Sequence, residues 1–207
     1  MSLDQFTQRL QSASKQIGIE LTEVQQQTLL NYLRQLQRWN KTYNLTALRD
    51  PEQMLIQHLF DSLSIVPDIK KIASSKKEAG FSILDVGSGG GLPGVVLASI
   101  CSTWNVTCVD AVEKKVSFIR QMSAVLSLPN LQGIHERIEK LPCLEADLII
   151  SRAFASLYDF VRLSEGHLSS SGEIIAMKAK KPHDEILELE TQTNWRVDHI
   201  KPLAVPE

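Results

Sequence analysis

Residues 81–94 constrain the fold of this chain more than any other stretch. The stretch begins with an apolar run that is short enough to be a buried strand. It then turns into glycine, and half of the ten glycines in the chain lie between Gly87 and Gly94. Glycine permits a positive φ and lets a ligand approach the backbone closely. Pro93 and the apolar residues after Gly94 are typical of a helix start, whose free N–H groups can bind a ligand. The stretch therefore predicts a strand, a glycine loop and a helix.

Two cofactor patterns overlap in this loop. Gly89, Gly91 and Gly94 fit G-x-G-x-x-G, the dinucleotide fingerprint. Asp85, Gly87, Gly89 and Gly91 also fit D-x-G-x-G-x-G, which resembles the first motif of S-adenosylmethionine-dependent methyltransferases. We favour the second pattern, because a pyrophosphate gains little from a neighbouring carboxylate, whereas the ammonium and sulfonium charges of S-adenosylmethionine favour one. A tight turn without a ligand is a third interpretation, but it needs fewer glycines.

The composition is that of a globular protein without a global charge signal. With 207 residues, 43% of them hydrophobic, the chain can form one full domain with a small appendage. No apolar run has the length of a membrane span and the N-terminus lacks a signal-peptide core, so we expect a cytoplasmic protein. Cys101, Cys108 and Cys143 lack metal-binding spacing, which indicates reduced cysteines and no metal site. Because the net charge is −2, an RNA-binding surface has to be a local patch.

The first third of the chain has helical periodicity. A first helix is predicted at the N-terminus, and a second, longer helix follows the capping box of Thr22 and Gln25. A third helix begins at Asp50-Pro51, extends to about Ile65 and ends before Pro67. Residues 70–80 are polar and predict a linker. We therefore predict a helical N-terminal region over residues 1–70 and a second domain over residues 78–207.

After the linker, strand and helix patterns alternate. This alternation predicts an α/β, Rossmann-like fold with a mostly parallel sheet and helices on both faces. In order, the elements are strand 81–86, helix 94–101, strand 105–110, helix 113–127, strand 131–135, strand 146–151, helix 156–168, strand 173–178, helix 182–191 and strand 195–201. Ligands of such sheets bind beyond the carboxyl ends of the strands. Asp110 ends the second strand and is predicted to accept hydrogen bonds from a ribose, with a helix cap as the alternative role.

Two groups of basic residues suggest an RNA surface. The first lies on and after the second helix, where cations alternate with rings and an amide, a mixture that binds bases and phosphates. Its members are Arg34, Arg38, Lys41 and Asn44, with Trp39 and Tyr43 between them. For each residue alone, a solvated helix face with Trp39 in the core is the simpler interpretation. The second group follows a late strand and contains Lys178 and Lys181. Both groups flank the cofactor if the N-terminal helices pack beside the strand ends.

Four stretches together resemble one family across nearly the whole chain. They are residues 39–47 (WNKTYNLTA), 58–63 (HLFDSL), 87–94 (GSGGGLPG) and 151–157 (SRAFASL). In this order they resemble the RsmG family, also called GidB or glucose-inhibited division protein B. The resemblance implies a bacterial enzyme that uses S-adenosylmethionine to methylate nitrogen 7 of one guanosine in 16S ribosomal RNA. It also implies cofactor contacts at Gly87, Leu92, Asp110, Ile138, Glu139 and Arg152. The partner is then 16S ribosomal RNA or the small ribosomal subunit, and we expect a monomer.

The chain departs from the family pattern in two places. Family members usually have a final strand with a basic residue after the equivalent of Pro206, so we expect a truncated chain or a sheet that is one strand short. Family members also often have Lys-Gly where this chain has Lys178-Ala179, which changes how closely an RNA backbone can approach.

The expected chemistry needs no catalytic side chain. Guanine nitrogen 7 carries an exposed lone pair, so no general base is required and catalysis comes from positioning in a water-poor site. Arg152 is then a cofactor or phosphate clamp. Two alternative functions stay open: an NAD(P)-dependent oxidoreductase, for which His135 is the one histidine at a predicted strand end, and a non-catalytic RNA-binding module.

Overall fold

Five parallel strands form the sheet in the part of the chain that the computed structural model describes, residues 3–76, 79–152 and 154–207. They are β1 Ser82–Val86, β2 Asn105–Asp110, β3 Leu131–His135, β4 Ala146–Arg152 and β5 Leu168–Met177. Their order across the sheet is β3-β2-β1-β4-β5. The order changes direction between β1 and β4, which creates a crevice at the carboxyl ends of these two strands. The predicted Rossmann-like α/β fold is confirmed.

Helices cover both faces of this sheet. The N-terminal helices are α1 Leu3–Ile17, α2 Glu23–Tyr43, α3 Pro51–Met54, α4 Asp61–Ser64 and α5 Val66–Lys76, with a π-helical segment Leu55–Phe60 between α3 and α4. Those that alternate with the strands are α6 Gly94–Ile100, α7 Glu113–Val125, α8 Leu157–Ser164 and α9 His183–Gln192, with short 3₁₀ turns at Ile138–Lys140 and Glu165–His167. Within the described ranges, none of these helices combines the length and apolar character needed to cross a bilayer.

Successive residues of β1 pack into different hydrophobic clusters, because neighbouring side chains of a strand point to opposite faces. Ile83 belongs to the larger cluster, which contains α2, α5, α6 and α7. Leu84 and Val86 belong to a second cluster with Phe160 of α8 and Ile138. Since both faces are covered, the central strands are buried almost without interruption.

The N-terminal helices belong to the same core as the sheet. Leu29 and Leu36 of α2 share the larger cluster with Val95 and Leu97 of α6 and with Phe118 of α7. Helix α2 therefore lies directly on the helices that follow the first two strands. The division into regions 1–70 and 78–207 stays a prediction.

The predicted end of the third helix near Ile65 is confirmed, because α4 ends at Ser64, but most of the predicted linker is wrong. Pro67 lies in the first turn of α5, where its missing N–H costs no hydrogen bond, and the helix continues to Lys76. Residues 70–76 are therefore helical, while residues 77 and 78 lie outside the described residues, as does Ala153 of the fourth family stretch. The polar composition of residues 70–80 concealed the helix, because α5 buries only a narrow stripe with Ile69 and Ala73.

The C-terminal part of the chain also differs from the prediction. The strand predicted over residues 195–201 does not form, and this segment has no regular structure. It runs beside α5 instead, where Lys201 Nζ lies 2.7 Å from Asp68 Oδ1, and Leu203 and Val205 pack against the larger cluster. Strand β5 begins at Leu168, earlier than predicted, because the preceding helix ends at Ser164 and gives way to a 3₁₀ turn.

Candidate active site

The glycine loop connects β1 to α6 and has a backbone that other residues rarely adopt. Gly87, Gly89 and Gly91 have φ values of +68°, +58° and +89°. Gly87 N donates to Val109 O over 2.8 Å, and Gly91 N donates to Ser88 O over 2.8 Å. A Cβ atom built on Gly89 meets no atom within 4 Å, so the loop leaves open space above its backbone. The strand, loop and helix predicted from residues 81–94 are thus confirmed.

Asp85 lies under this loop. Its side chain is 0% exposed, its Oδ2 accepts a hydrogen bond from Gly94 N over 2.8 Å, and its Oδ1 has no partner within the described part of the chain. A Cβ atom on Gly94 would come within 2.8 Å of that same Oδ2 and 2.3 Å of Cys108 Sγ, so only glycine allows α6 to start here. Burial raises the pKa of Asp85 to about 7, against the opposing effects of the Gly94 N–H group and Arg152. An interaction of Asp85 with the cofactor stays a prediction, and it has to act through the loop.

Asp110 ties the end of β2 to the loop. Its Oδ2 accepts from Gly89 N and its Oδ1 accepts from Val112 N, both over 2.9 Å. Lys115 Nζ lies 3.7 Å from Oδ2. Val112 precedes α7, so the carboxylate bonds to the chain before the helix and not to the N–H groups of its first turn. The contact of Asp110 with a ribose stays a prediction. The fold places the carboxylate beside Gly89 of the loop.

A cleft of about 230 Å³ opens above the loop. Several predicted cofactor residues line it: Gly87, Gly89, Leu92 and Arg152. The other lining residues are Leu36, Leu45, Thr46, His58, Ser88, Gly90 and Lys115. Ile138 and Glu139 do not line it. Ile138 packs in the cluster that contains Leu84 and Val109, and Glu139 is exposed beside Arg137, 3.8 Å away. Cofactor contacts of these two residues stay a prediction.

Arg152 joins the end of β4 to the π-helical segment. Its Nη1 donates to Gln57 O over 2.6 Å and to Asp61 Oδ2 over 3.0 Å. Its Nη2 lies 3.3 Å from His58 Nδ1. His58 Nδ1 also lies 3.2 Å from Gln57 O, so the Arg152 guanidinium and this carbonyl both meet the same ring nitrogen. His58 Nε2 lies 3.0 Å from Thr46 Oγ1, within hydrogen-bond distance. Three groups of residues 57–61 therefore hold the Arg152 guanidinium.

His58 is neutral at physiological pH. Burial, and after it the charge of Arg152, lower its pKa from 6.5 to about 4. The charge of Arg152 is balanced by Asp61 and not by the ring. Sequence reasoning assigned no role to Thr46, His58 or Asp61. The available signal was their place in two of the four stretches quoted for the family, residues 39–47 and 58–63. The structure brings these stretches together with the glycine loop.

The predicted RNA residues on α2 lie on its outer surface. Arg34, Arg38 and Lys41 are exposed, and so is Asn44, which ends the helix with a φ of +48°. Trp39 does not extend into solvent: its ring centroid lies 4.9 Å from that of Tyr43 and 5.4 Å from that of Phe118 of α7. Trp39 is partly buried and packs against the margin of the larger hydrophobic cluster, so it is not a fully buried core residue. The RNA roles of the four polar residues stay a prediction.

Lys178 differs from the exposed Lys181 that follows it. Its side chain is only 15% exposed, and its Nζ lies 2.6 Å from Glu185 Oε2 and 3.1 Å from Phe154 O. It thus holds the segment after β4 against α9. A role of Lys178 in RNA binding stays a prediction, and it requires competition with this ion pair.

Comparison with known proteins gives one family. Residues 25–207 match the model of the family described as "GidB: rRNA small subunit methyltransferase G". The chain is 54% identical over 198 residues to "Ribosomal RNA small subunit methyltransferase G" of Bordetella petrii, covering 96% of this chain and 77% of that protein. It is 47% identical over 201 residues to the protein of the same name from Methylibium petroleiphilum, covering 97% and 89%. The similarity includes all four stretches that converge at the cleft.

Proposed function

Because the chain belongs to the GidB family of small-subunit rRNA methyltransferases, we propose that it transfers a methyl group from S-adenosylmethionine to nitrogen 7 of a guanosine in 16S ribosomal RNA of the bacterial small subunit. The observation that carries the proposal is the cleft in which the glycine loop meets Thr46, His58 and Arg152. In this proposal, the protein is a cytoplasmic monomer, and its substrate is ribosomal RNA or the small ribosomal subunit.

The residues around the loop fit S-adenosylmethionine. Gly87 and Gly89 offer open backbone at positive φ, and Leu92 lines the same cleft. Asp110 lies next to Gly89 N, where it can exchange its present bonds for ribose hydroxyl groups. When bound, the cofactor supplies an electrophilic methyl group on a sulfonium.

Methyl transfer to nitrogen 7 requires little acid–base catalysis by the residues of this chain. The lone pair of nitrogen 7 is free, so no side chain has to remove a proton, and positioning in a shielded cleft is the main contribution. The product base is cationic, so an unbalanced cation near it would oppose the reaction. Two cationic side chains are present among the described residues that line the cleft, Lys115 and Arg152, and both have a carboxylate within 4 Å, Asp110 and Asp61 respectively. His58 adds no charge, since its pKa is about 4.

The surface of α2 supports RNA binding next to the cleft. Arg34, Arg38 and Lys41 are exposed on the helix whose Leu36 lines the cleft. Because the net charge of the chain is −2, the attraction to phosphates has to come from such a local group. Histidine chemistry of the kind that a nicotinamide oxidoreductase needs has less support. His135 is exposed at the end of β3, bonds to Ala111 O and does not line the cleft. His58 does line the cleft, but its lowered pKa of about 4 makes it a poor proton donor at neutral pH.

The direct test is methyl incorporation into RNA. The full-length protein is incubated with labelled S-adenosylmethionine and either purified 16S ribosomal RNA or assembled small subunits, and the modified base is then mapped. We expect one labelled guanosine, with methylation at nitrogen 7. Binding of S-adenosylmethionine without label in either RNA substrate would contradict the proposal and favour a non-catalytic RNA-binding module. A protein stabilised by NAD and not by S-adenosylmethionine would favour the oxidoreductase.

A further inference from the structure

Among the described residues, three groups outside the glycine loop anchor it by hydrogen bonds with the backbone of residues 87–90. The first is Val109 O, which accepts from Gly87 N and from Ser88 N. The second is Asp110, which accepts from Gly89 N over 2.9 Å. The third comes from the N-terminal helices: the hydroxyl of Tyr32 donates to Gly90 O over 2.7 Å. Two anchors therefore lie at the end of β2, and one lies on a helix 58 residues upstream of the loop.

Tyr32 is built into the core at this point. Its side chain is 0% exposed, and its ring packs 6.0 Å from that of Phe118. Burial raises the pKa of its phenol far above the ordinary value, so the hydroxyl stays a donor at every working pH. Leu36, one turn later on α2, reaches the same glycine: a Cβ atom on Gly90 would lie 3.2 Å from Leu36 Cδ1. Helix α2 thus contacts the loop with a hydrogen bond and an apolar side chain.

A glycine loop depends on such anchors more than other loops do. Glycine has no side chain that could pack, and its backbone has more accessible conformations than that of any other residue. The hydrogen bonds that fix its peptide groups therefore decide which conformation the ligand meets. The Tyr32 bond fixes the carbonyl between Gly90 and Gly91, while the neighbouring Gly91 N donates to Ser88 O over 2.8 Å.

We propose that Tyr32 is a positioning residue for the cofactor, which holds the Gly90 peptide so that the loop is preformed for S-adenosylmethionine. Tyr32 does not line the cleft and acts only through the loop. The inference rests on the proposed function in one respect, namely that S-adenosylmethionine binds at this loop. It adds that the N-terminal helices are part of the cofactor site as well as of the RNA surface.

The test is Tyr32→Phe, which deletes the hydroxyl and keeps the ring in its place against Phe118. Removing one hydrogen bond of this kind should weaken S-adenosylmethionine and S-adenosylhomocysteine about three- to tenfold in calorimetry. KM for the cofactor should rise by the same factor. The kcat at saturating cofactor and the KM for RNA should stay within about twofold, because both are measured when the cofactor already occupies the loop.

Two control variants separate this role from general stability. Gln25→Ala removes another bond from α2 to a main-chain carbonyl, that of Gln25 Nε2 to Ile100 O over 2.9 Å at the far end of α6, together with the capping-box bond that Gln25 Oε1 accepts from Thr22 N. Leu10→Ala removes a fully buried side chain of α1 from the same hydrophobic cluster as Tyr32, and touches neither Tyr32 Oη nor the loop. Both should lower the melting temperature at least as much as Tyr32→Phe and leave cofactor affinity unchanged.

The outcomes are distinguishable. Failure of the wild-type protein to bind S-adenosylmethionine would overturn the proposed function, and with it this inference. Equal cofactor affinity of wild type and Tyr32→Phe would overturn the inference alone. The same conclusion would follow if the control variants weakened the cofactor as strongly as Tyr32→Phe. Amide hydrogen exchange gives a second measurement in the cofactor-free protein: exchange of the Gly91 N–H should become faster in Tyr32→Phe, and unchanged exchange would contradict the inference.

Discussion

The two sides of the cleft are constructed in different ways. The glycine side, residues 85–94 with Asp110, offers mainly backbone, and its carboxylates lie beneath or behind the loop. The histidine side, Thr46, His58, Asp61 and Arg152, offers side chains that hold one another in a chain of hydrogen bonds. The glycine side is formed by residues that are adjacent in sequence or on adjacent strands. The histidine side joins residues up to 106 positions apart (46 and 152). The first is therefore visible as a motif, whereas the second becomes visible only when the chain is folded.

The largest expected effect comes from breaking the backbone of the glycine side. Gly87→Val places a branched side chain at a φ of +68°, which costs a non-glycine residue about 1–3 kcal/mol. The new Cβ also lies 3.6 Å from the ring of Phe154. We expect loss of S-adenosylmethionine binding by about 100-fold or more in a folded protein, measured by calorimetry with circular dichroism as the check of folding. Gly166→Ala is the matched control, because Gly166 has open space around it and no positive φ. Unchanged affinity in folded Gly87→Val would contradict the assignment of this loop.

The two sides should also respond to pH with opposite sign. Asp85 has a pKa of about 7 in the folded protein and 3.8 as its ordinary value, so between these values the folded state binds more protons and stability falls as pH rises. His58 has a pKa of about 4 against 6.5, so in its window the unfolded state binds more protons and stability rises with pH. These differences correspond to at most about 4 kcal/mol for Asp85 and about 3 kcal/mol for His58. In the wild type the two contributions largely cancel between pH 4 and pH 6.5.

Single variants should expose this compensation. In Asp85→Asn, the His58 contribution is left, so the free energy of unfolding should increase by about 2–3 kcal/mol from pH 4.5 to pH 6.5. In His58→Asn, the Asp85 contribution is left, and the free energy of unfolding should decrease over the same range. Urea unfolding at a series of pH values measures both. If the free energy of unfolding changed with pH in the same direction in both variants, the opposite contributions of Asp85 and His58 would be contradicted.

The third effect concerns the junction between strand end and loop. Asp110→Ala removes the acceptor of Gly89 N and the predicted ribose contact together. We expect S-adenosylmethionine to bind about 1.5–3 kcal/mol more weakly, as is usual for hydrogen bonds to a charged group. Lys115→Ala is a useful comparison, because it removes the cation 3.7 Å from Asp110 and leaves the carboxylate in place. If Asp110→Ala matches the wild type in calorimetry, the carboxylate only fixes the turn.

The smallest expected effect is on RNA binding at the outer surface. Arg38→Ala combined with Lys181→Ala removes two exposed cations, one from each predicted basic group. The affinity for ribosomal RNA should fall, and the slope of log K against log salt should decrease by roughly one to two units. Cofactor affinity should not change, because neither residue lines the cleft. A double variant that methylates RNA normally at every salt concentration would show that RNA binds elsewhere.

How much the sequence revealed differs between the same two sides. The glycine side was predictable, because a strand followed by D-x-G-x-G-x-G implies a local geometry that the structure confirms at Gly87, Gly89 and Gly91. The chemistry of Thr46, His58 and Asp61 was not predicted. His58 and Asp61 meet Arg152, and Thr46 meets His58, only when residues 46–61 pack against the end of β4. Helix α5 was missed because Pro67 is a helix breaker only in an interior position, and the sequence alone does not reveal the position. The prediction of a strand over residues 195–201 was wrong, because alternating side chains form a stable strand only where a neighbouring strand is available for pairing.

The contact of Tyr32 with Gly90 has a consequence for how this catalytic unit could be transplanted. A protein engineer who excised residues 81–152 would keep the whole glycine motif, Asp110 and Arg152. The excised piece would lack the phenol that holds the Gly90 carbonyl, the Leu36 side chain against the same glycine, and the acceptors at Gln57 and Asp61 that orient Arg152. The glycine motif therefore forms only one side of the site, and the residues that hold it and Arg152 in place are encoded before it in the chain.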